Sequence, residues 1–302
     1  MLKLAIALQR LPFLRSRDHV LLQEVLSGIE DLRHFSAADL LQMCGRPHRG
    51  QQFDADALFA QLERDMELMS LQAIRPIHIW SSEYPALLRE IADPPVVLYV
   101  RGSLPSVPFV SVVGTRRPTT EGRRAAYRLG YDLAKMGYSV VSGLALGIDG
   151  HAHQGAVDAG GHTLAVLGSG IDQIVPRSHI RLASGILRNA GAICSEFPPA
   201  TPPAKYRFPQ RNRIIAALSP VLVVVEAPRG SGALITADFA ADSREVLVHR
   251  AGYDSFMGDG CRELVCNGAR IIESARQVFP SLGKDVCGGG MSLGEPEVVY
   301  EF

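Results

Sequence analysis

Charge of one sign is what this chain most plainly lacks. Its 302 residues carry 31 Lys and Arg against 31 Asp and Glu, for a formal net charge of zero and a pI near 7.1. A protein that holds nucleic acid by bulk charge is thereby excluded, and any polyanion site has to be local. Long hydrophobic runs are missing as well. No stretch of roughly 18 uncharged apolar residues occurs, and the apolar start MLKLAIALQRLPFL is broken by Gln9, Arg10 and Pro12, with no small-residue cleavage site after it. A soluble cytoplasmic protein with no membrane partner is expected. The five cysteines, Cys44, Cys194, Cys261, Cys266 and Cys287, contain no C-x-x-C pair. That favours reduced thiols over a disulfide framework or a four-ligand zinc site. Also absent are a GxGxxG fingerprint, a Walker loop ending in GK[ST] and a G-x-S-x-G elbow. No dinucleotide or NTP cofactor is expected, and no serine nucleophile is marked.

What is present is apolar material in quantity. Hydrophobic residues make up 47% against 21% charged, enough for a sizeable core, and the length suits one large and one small unit. Over residues 1–75 apolar side chains recur at three- and four-residue steps, as in Val20, Leu21, Val25, Leu26 and Ile29, or Leu58, Phe59, Leu62, Met66 and Met69. A small all-helical domain is expected there, with Ser36 as one N-cap. The texture then changes. Short Val- and Ile-rich runs at 96–100, 109–113, 139–142, 163–167, 192–194, 221–225, 246–248 and 270–272 alternate with helix-period stretches. Strands apolar on both faces and separated by helices predict an open α/β, Rossmann-like parallel sheet over 76–280. The remainder, 281–302, with Gly288 to Gly290, is expected to be a flexible tail too short for a further winged domain.

In such a sheet, ligands bind beyond the carboxyl ends of the strands. Here those ends carry Gly114-Thr115-Arg116-Arg117, Ser142-Gly143, Gly168-Ser169-Gly170 and Arg229-Gly230-Ser231-Gly232. Glycines let backbone N–H groups approach an anion at a helix start, which is phosphate-site chemistry, although each loop alone is also ordinary turn chemistry. Two cationic segments stand out from the balanced whole. Five arginines against one acid, Glu121, lie between Arg116 and Arg128, and Lys205-Tyr206-Arg207-Phe208-Pro209-Gln210-Arg211-Asn212-Arg213 mixes four cations with two rings and no acid. Cations that track phosphates beside a ring that stacks on an unpaired base suit single-stranded nucleic acid. The competing possibility is a solvated loop and a helix start whose arginines cap carbonyls. Catalytic groupings are poor by comparison. His151 and His153 are too close in the chain for an i,i+4 metal pair, Asp149 suits a helix cap, and Glu226 is a lone carboxylate without an evident partner.

The segments VVGTRRPTTEG, VVSGLALGIDGHAH, LAVLGSGIDQIVP, SEFPPATPPAKYRFPQRNRIIAALSPVLVVVEA and SGALITADFAADSREV, in that order, closely resemble the DNA-processing protein family DprA, also called Smf. The likeness runs from about 84 to 269, and the helical start resembles, in pattern only, the SAM-like domain that precedes the family's core. The resemblance implies a non-catalytic, cofactor-free protein that binds single-stranded DNA during natural transformation, protects it and loads the RecA recombinase. It also implies a homodimer formed through the Rossmann core. By motif position Arg116, Lys205 and Phe208 match the family's DNA-contacting residues, and Arg117 belongs to the same loop. Arg211 and Arg213 are expected either to line that pocket or to be structural. Ser142, Gly143, Gly168, Ser231 and Gly232 are expected to shape its floor and supply backbone donors.

There are departures from the family pattern. Val248-His249-Arg250-Ala251-Gly252 stands where the family reads Val-Pro-Gly, and Arg262-Glu263-Leu264-Val265 where it reads Asn-x-Leu-Ile. The alternative function is enzymatic. The Arg229-Gly230-Ser231-Gly232-Ala233 turn is similar to the phosphate loop of the related phosphoribohydrolases that act on nucleoside monophosphates. Those enzymes place a Glu on the following helix, whereas this chain has Ile235-Thr236-Ala237.

Overall fold

A computed structural model of the protein describes residues 1–279, so the expected tail over 281–302 lies outside the described residues. Four helices come first, α1 (Leu2–Gln9), α2 (Ser16–Val25), α3 (Ala37–Met43) and α4 (Ala55–Leu71). Ser36 does cap α3, its side chain accepting from the Asp39 N–H at 3.3 Å. Among the described residues nine strands follow: β1 (Arg75–His78), β2 (Val97–Gly102), β3 (Phe109–Val113), β4 (Ser139–Ser142), β5 (Thr163–Leu167), β6 (Ala192–Ser195), β7 (Val221–Val224), β8 (Glu245–His249) and β9 (Arg270–Ile272). Interleaved with them are α5 (Ala86–Arg89), α6 (Thr120–Lys135), α7 (Ile148–Asp158), α8 (Ile180–Arg188), α9 (Arg207–Ala217), α10 (Gly232–Ala241), α11 (Arg250–Asp254) and α12 (Asp259–Cys266).

The strands form one sheet in the order β1-β2-β6-β5-β4-β3-β7-β8-β9. From β6 to β9 every pairing is parallel. At the other end β2 runs antiparallel to β6, and β1 antiparallel to β2. Alternation along each strand divides the core. Val110, Val112, Val140, Val221 and Val223 face α6 and α7, while Val113, Val141, Leu222 and Val224 face α9 and α10. Both faces are therefore covered, which is why these strands read as unbroken apolar runs.

The N-terminal helices pack on this body. Their own core is leucine-rich (Leu4, Leu8, Leu11, Leu22, Leu40), yet Ala5 and Ile6 of α1 belong to the cluster of the sheet. Tyr99 of β2 donates to Gln9 at 2.8 Å, and Arg10 pairs with buried Asp65 of α4 while also donating to Pro199 O at 2.6 Å.

Two buried imidazoles make the fold sensitive to acid. His153 on α7 bonds the Thr163 hydroxyl at 2.7 Å, and burial lowers its pKa to about 3; burial likewise lowers His19 to about 4. The unfolded chain, titrating near 6.5, takes up protons that the folded chain refuses. Stability is thus full above a pH of about 6.5 and falls below it, by up to about 3 kcal/mol per pH unit for the pair. Urea midpoints measured between about pH 7.5 and pH 5 should drop accordingly, and midpoints flat over that range would contradict the burial of these rings.

Candidate nucleic-acid interface

The chain steps from β3 through β4 and β5 to β6, then returns to place β7 on the other side of β3. The carboxyl ends of β3 and β7 therefore diverge into a crevice, the usual ligand position of an open sheet. A cleft of about 540 Å³ opens there, lined among others by Arg116, Arg117, Phe208, Asn212, Ser231 and Gly232.

The arginine loop after β3 is fastened from below. Thr115 N–H donates to Glu226 O at 2.7 Å, and the buried Glu226 carboxylate accepts from Thr119 N–H at 2.8 Å, from the Thr119 hydroxyl and from Ser255. Thr119 in turn caps α6 through Gly122 N–H. Gly122 has no alternative at its position, since a Cβ would lie 2.1 Å from Glu226 Oε2. Both oxygens of Glu226 are committed, so this carboxylate anchors a loop and a helix start.

The ring comes from the first turn of α9. Phe208 rests on Gly168 at the end of β5, where a Cβ would approach the ring to 2.8 Å. The Arg116 guanidinium sits 5.7 Å from the centre of that ring, and both Arg116 and Arg117 are exposed. Lys205, exposed two residues before α9 begins, precedes Tyr206, which is 65% exposed with the Arg207 guanidinium 5.3 Å from its ring. Arg116 and Phe208 thus share one cleft, with Lys205 at the approach to the same helix.

Other residues singled out in the sequence sit beneath the cleft or away from it. Arg211 lies at the floor, 4% exposed, donating to Gly143 O at 2.9 Å and to Val166 O, so it ties α9 to the ends of β4 and β5. Burial lowers its pKa to about 10, against the pull of Asp149, and it stays protonated. Burial raises Asp149, opposed by Arg211 and by the Gly143 N–H, which donates at 3.1 Å. Gly143 is needed for this arrangement, because a Cβ would come within 2.5 Å of the Arg211 guanidinium. Ser142 is buried and donates to Val112 O at 2.6 Å. Ser231 caps α10, and Gly232 stands next to it in open space. Arg213 does not line the cleft. Its guanidinium forks onto Glu196 at 2.8 and 2.6 Å and reaches Asp93 at 3.1 Å.

Residues not expected at the cleft also line it, notably Ile235 and Met257, and Asn212 joins α9 to α10 by donating to Gly232 O at 3.2 Å. Asn212 lies inside the motif already noted and could have been found there. Met257 sits in the loop after α11, and no local signal ties it to the cleft. The departures at His249 to Gly252 and Arg262 to Val265 fall on β8, α11 and α12.

A doubly wound sheet whose switch-point crevice is lined by arginines, glycine turns and one phenyl ring defines a Rossmann-like protein with a cationic ligand crevice. The family model described as DNA recombination-mediator protein A matches residues 75–283. The chain belongs to this family, DprA or Smf, whose members are DNA-binding recombination mediators and not enzymes. Protein Smf of Synechocystis is 44% identical over 208 residues, 67% of this chain and 52% of that protein. The chain therefore spans about half the length of that relative. DNA processing protein DprA of Bacillus subtilis is 37% identical over 234 residues, 76% of this chain and 78% of that one. Among solved structures, DprA from Streptococcus pneumoniae superposes with a TM-score of 0.72 at 29% identity, covering 90% of this chain and 95% of that chain. DprA from Helicobacter pylori, described for its single-stranded DNA binding mode, gives a TM-score of 0.63 at 29% identity over 70% and 96% of the two chains. Among the described residues no helix is long and apolar enough to cross a membrane.

Proposed function

We propose that this protein binds single-stranded DNA in the switch-point cleft, protects the strand and delivers it to the RecA recombinase during natural transformation, as a cytoplasmic homodimer. The observation that carries this reading is the pairing of Arg116 with Phe208 across the cleft, 5.7 Å from guanidinium to ring centre. A cation and an aromatic face at one opening grip a phosphate and an unpaired base together, whereas a paired base offers no free face. The names of the relatives support it, since the proteins of B. subtilis and S. pneumoniae are called DNA processing proteins and the H. pylori structure concerns single strands.

Roles follow from position. Arg116, Arg117 and Lys205 contact phosphates, Phe208 stacks on a base, and the Ser231 and Gly232 turn offers backbone donors. Arg211, with Gly143, Ser142 and Gly168, builds the floor from beneath and leaves its own charge close under the cleft. Arg213 is a structural member. The helical N-terminal region, 1–75, and the sheet body are proposed as the two domains.

The test compares single- and double-stranded oligonucleotides in a mobility shift, with salt titrations. Arg116→Ala and Lys205→Ala should each weaken binding and lower the salt slope by roughly one counterion. Equal affinity for duplex and single strand, or slopes like the parent's in both variants, would reject the assignment. Release of free base from nucleoside monophosphates at an enzymatic rate would replace this reading by the phosphoribohydrolase one.

A further inference from the structure

The cations of the cleft continue onto the opposite side of the sheet edge. Gly147, at the start of α7 with φ of +81°, lies directly against the arginine loop: a Cβ there would meet Thr115 O at 2.3 Å and the Arg116 backbone at 2.7 and 2.8 Å. The next N–H, that of Ile148, donates to Thr115 O at 3.2 Å. One turn into α7 comes His151, half-buried, and one turn into α6 comes Arg123, exposed.

These two side chains stand in the first turns of two neighbouring helices. Helices α6 and α7 run the same way and touch through glycines: a Cβ on Gly130 would lie 2.1 Å from Ala152 O, and one on Gly155 would lie 2.0 Å from Tyr127 O. Arg123 lies two turns before Gly130 and His151 one turn before Gly155, so each sits on the contact face of its helix, at the end of the groove beside the arginine loop. Burial, with the neighbouring Arg123 and His179, holds the His151 imidazole below its ordinary range, so it faces the groove as a neutral hydrogen-bond donor beside the Arg123 charge. The His179 ring lies over Gly150, 2.6 Å from where a Cβ would stand, and is held by Leu144 O at 2.9 Å.

The row is also unneutralised. Two arginines nearby each have a carboxylate, Arg128 with Asp132 and Arg229 with Glu263. Among the described residues no ion pair engages Arg116, Arg117 or Arg123. In a chain of zero net charge, free cations gathered at one edge mark where a polyanion lies.

We propose that a single strand leaving the cleft passes over Arg117 and across the mouth of the α6–α7 groove, where Arg123 and His151, with His179 beside them, hold its phosphates. This extends the cleft reading and rests on it. The row contains cations and imidazoles but no exposed ring, so it grips backbone and reads no bases.

Strand length separates the two surfaces. An oligothymidylate of about six nucleotides fills the cleft alone, and one of about twenty reaches the row. Fluorescence anisotropy on both lengths, with the parent, the Arg123→Gln/His151→Gln double variant and Phe208→Ala, is the experiment. The double variant should bind the short strand like the parent and the long strand about three- to tenfold more weakly, with a salt slope lower by roughly one counterion. Arg123→Glu, which adds a repelling charge on an exposed site, should enlarge the loss on the long strand only. Parental affinity and slope on the long strand in both variants would overturn the proposal. If Phe208→Ala left both lengths unaffected while the double variant still weakened the long one, the cleft reading would fall and the row would stand as a site of its own.

Discussion

Phe208→Ala is expected to weaken binding of single-stranded DNA by about 1–3 kcal/mol, or roughly 5- to 150-fold, with little change in stability. The ring is half-exposed in the first turn of α9 and lies outside the buried clusters of the core. What it supplies is a flat apolar face held in place by Gly168 behind it and flanked by the Arg116 guanidinium. A base stacking there gains contact area while its phosphate meets the arginine, and alanine offers neither face nor support. Phe208→Tyr should retain most of the affinity, since the hydroxyl adds polarity at the rim without removing the face. Anisotropy with an oligothymidylate reads the effect, and thermal melting confirms that the fold is intact. A variant that melts like the parent and binds like the parent would take the ring out of the contact surface.

Arg213→Ala is expected to act in the opposite way, with a large loss of stability and unaltered affinity per folded molecule. Arg213 and Glu196 have side chains only 7% exposed and are joined by two bonds, with Asp93 adding a third contact. Removing the guanidinium leaves the Glu196 carboxylate buried without its partner, which costs about 3–5 kcal/mol. For a chain of this size the melting temperature should fall by on the order of 10 °C. Chemical denaturation gives the stability, and the salt slope of the surviving folded protein should match the parent's. A variant as stable as the parent but deficient in DNA binding would move Arg213 from the scaffold to the interface.

Arg211 and Arg213 also show where sequence reading stops. They stand two residues apart in one cationic motif, and composition assigns both to the same surface. On a helix two residues are about 200° apart, so one side chain reaches under the cleft to the ends of β4 and β5 while the other turns to Glu196. The strands themselves were legible, since runs such as 109–113 and 163–167 are apolar on both faces and end in glycine turns. The antiparallel pair at the β1 end was not, because it depends on β2 meeting β6, a strand far along the chain whose own residues carry no mark of direction. In the same way the loops of the cleft could be named from their glycines and arginines. The contact of Arg116 with Phe208 could not, because the return of the chain from β6 to β7 creates it. Glu226 looked like an unattached acid for a similar reason: its partners, Thr119 and Ser255, belong to other segments.

On the proposed reading of the cleft, the commitment of Glu226 sets how a strand is captured. Because it clasps the threonine that begins α6 and its own carbonyl holds Thr115, the arginine loop already has its working shape before any nucleic acid arrives. Freedom is then given up on one side only, by the limp polynucleotide, while the protein surface waits as a rigid template. Capture on such a template is limited by encounter, and its speed follows the ionic atmosphere of the solution more than any rearrangement of the polypeptide.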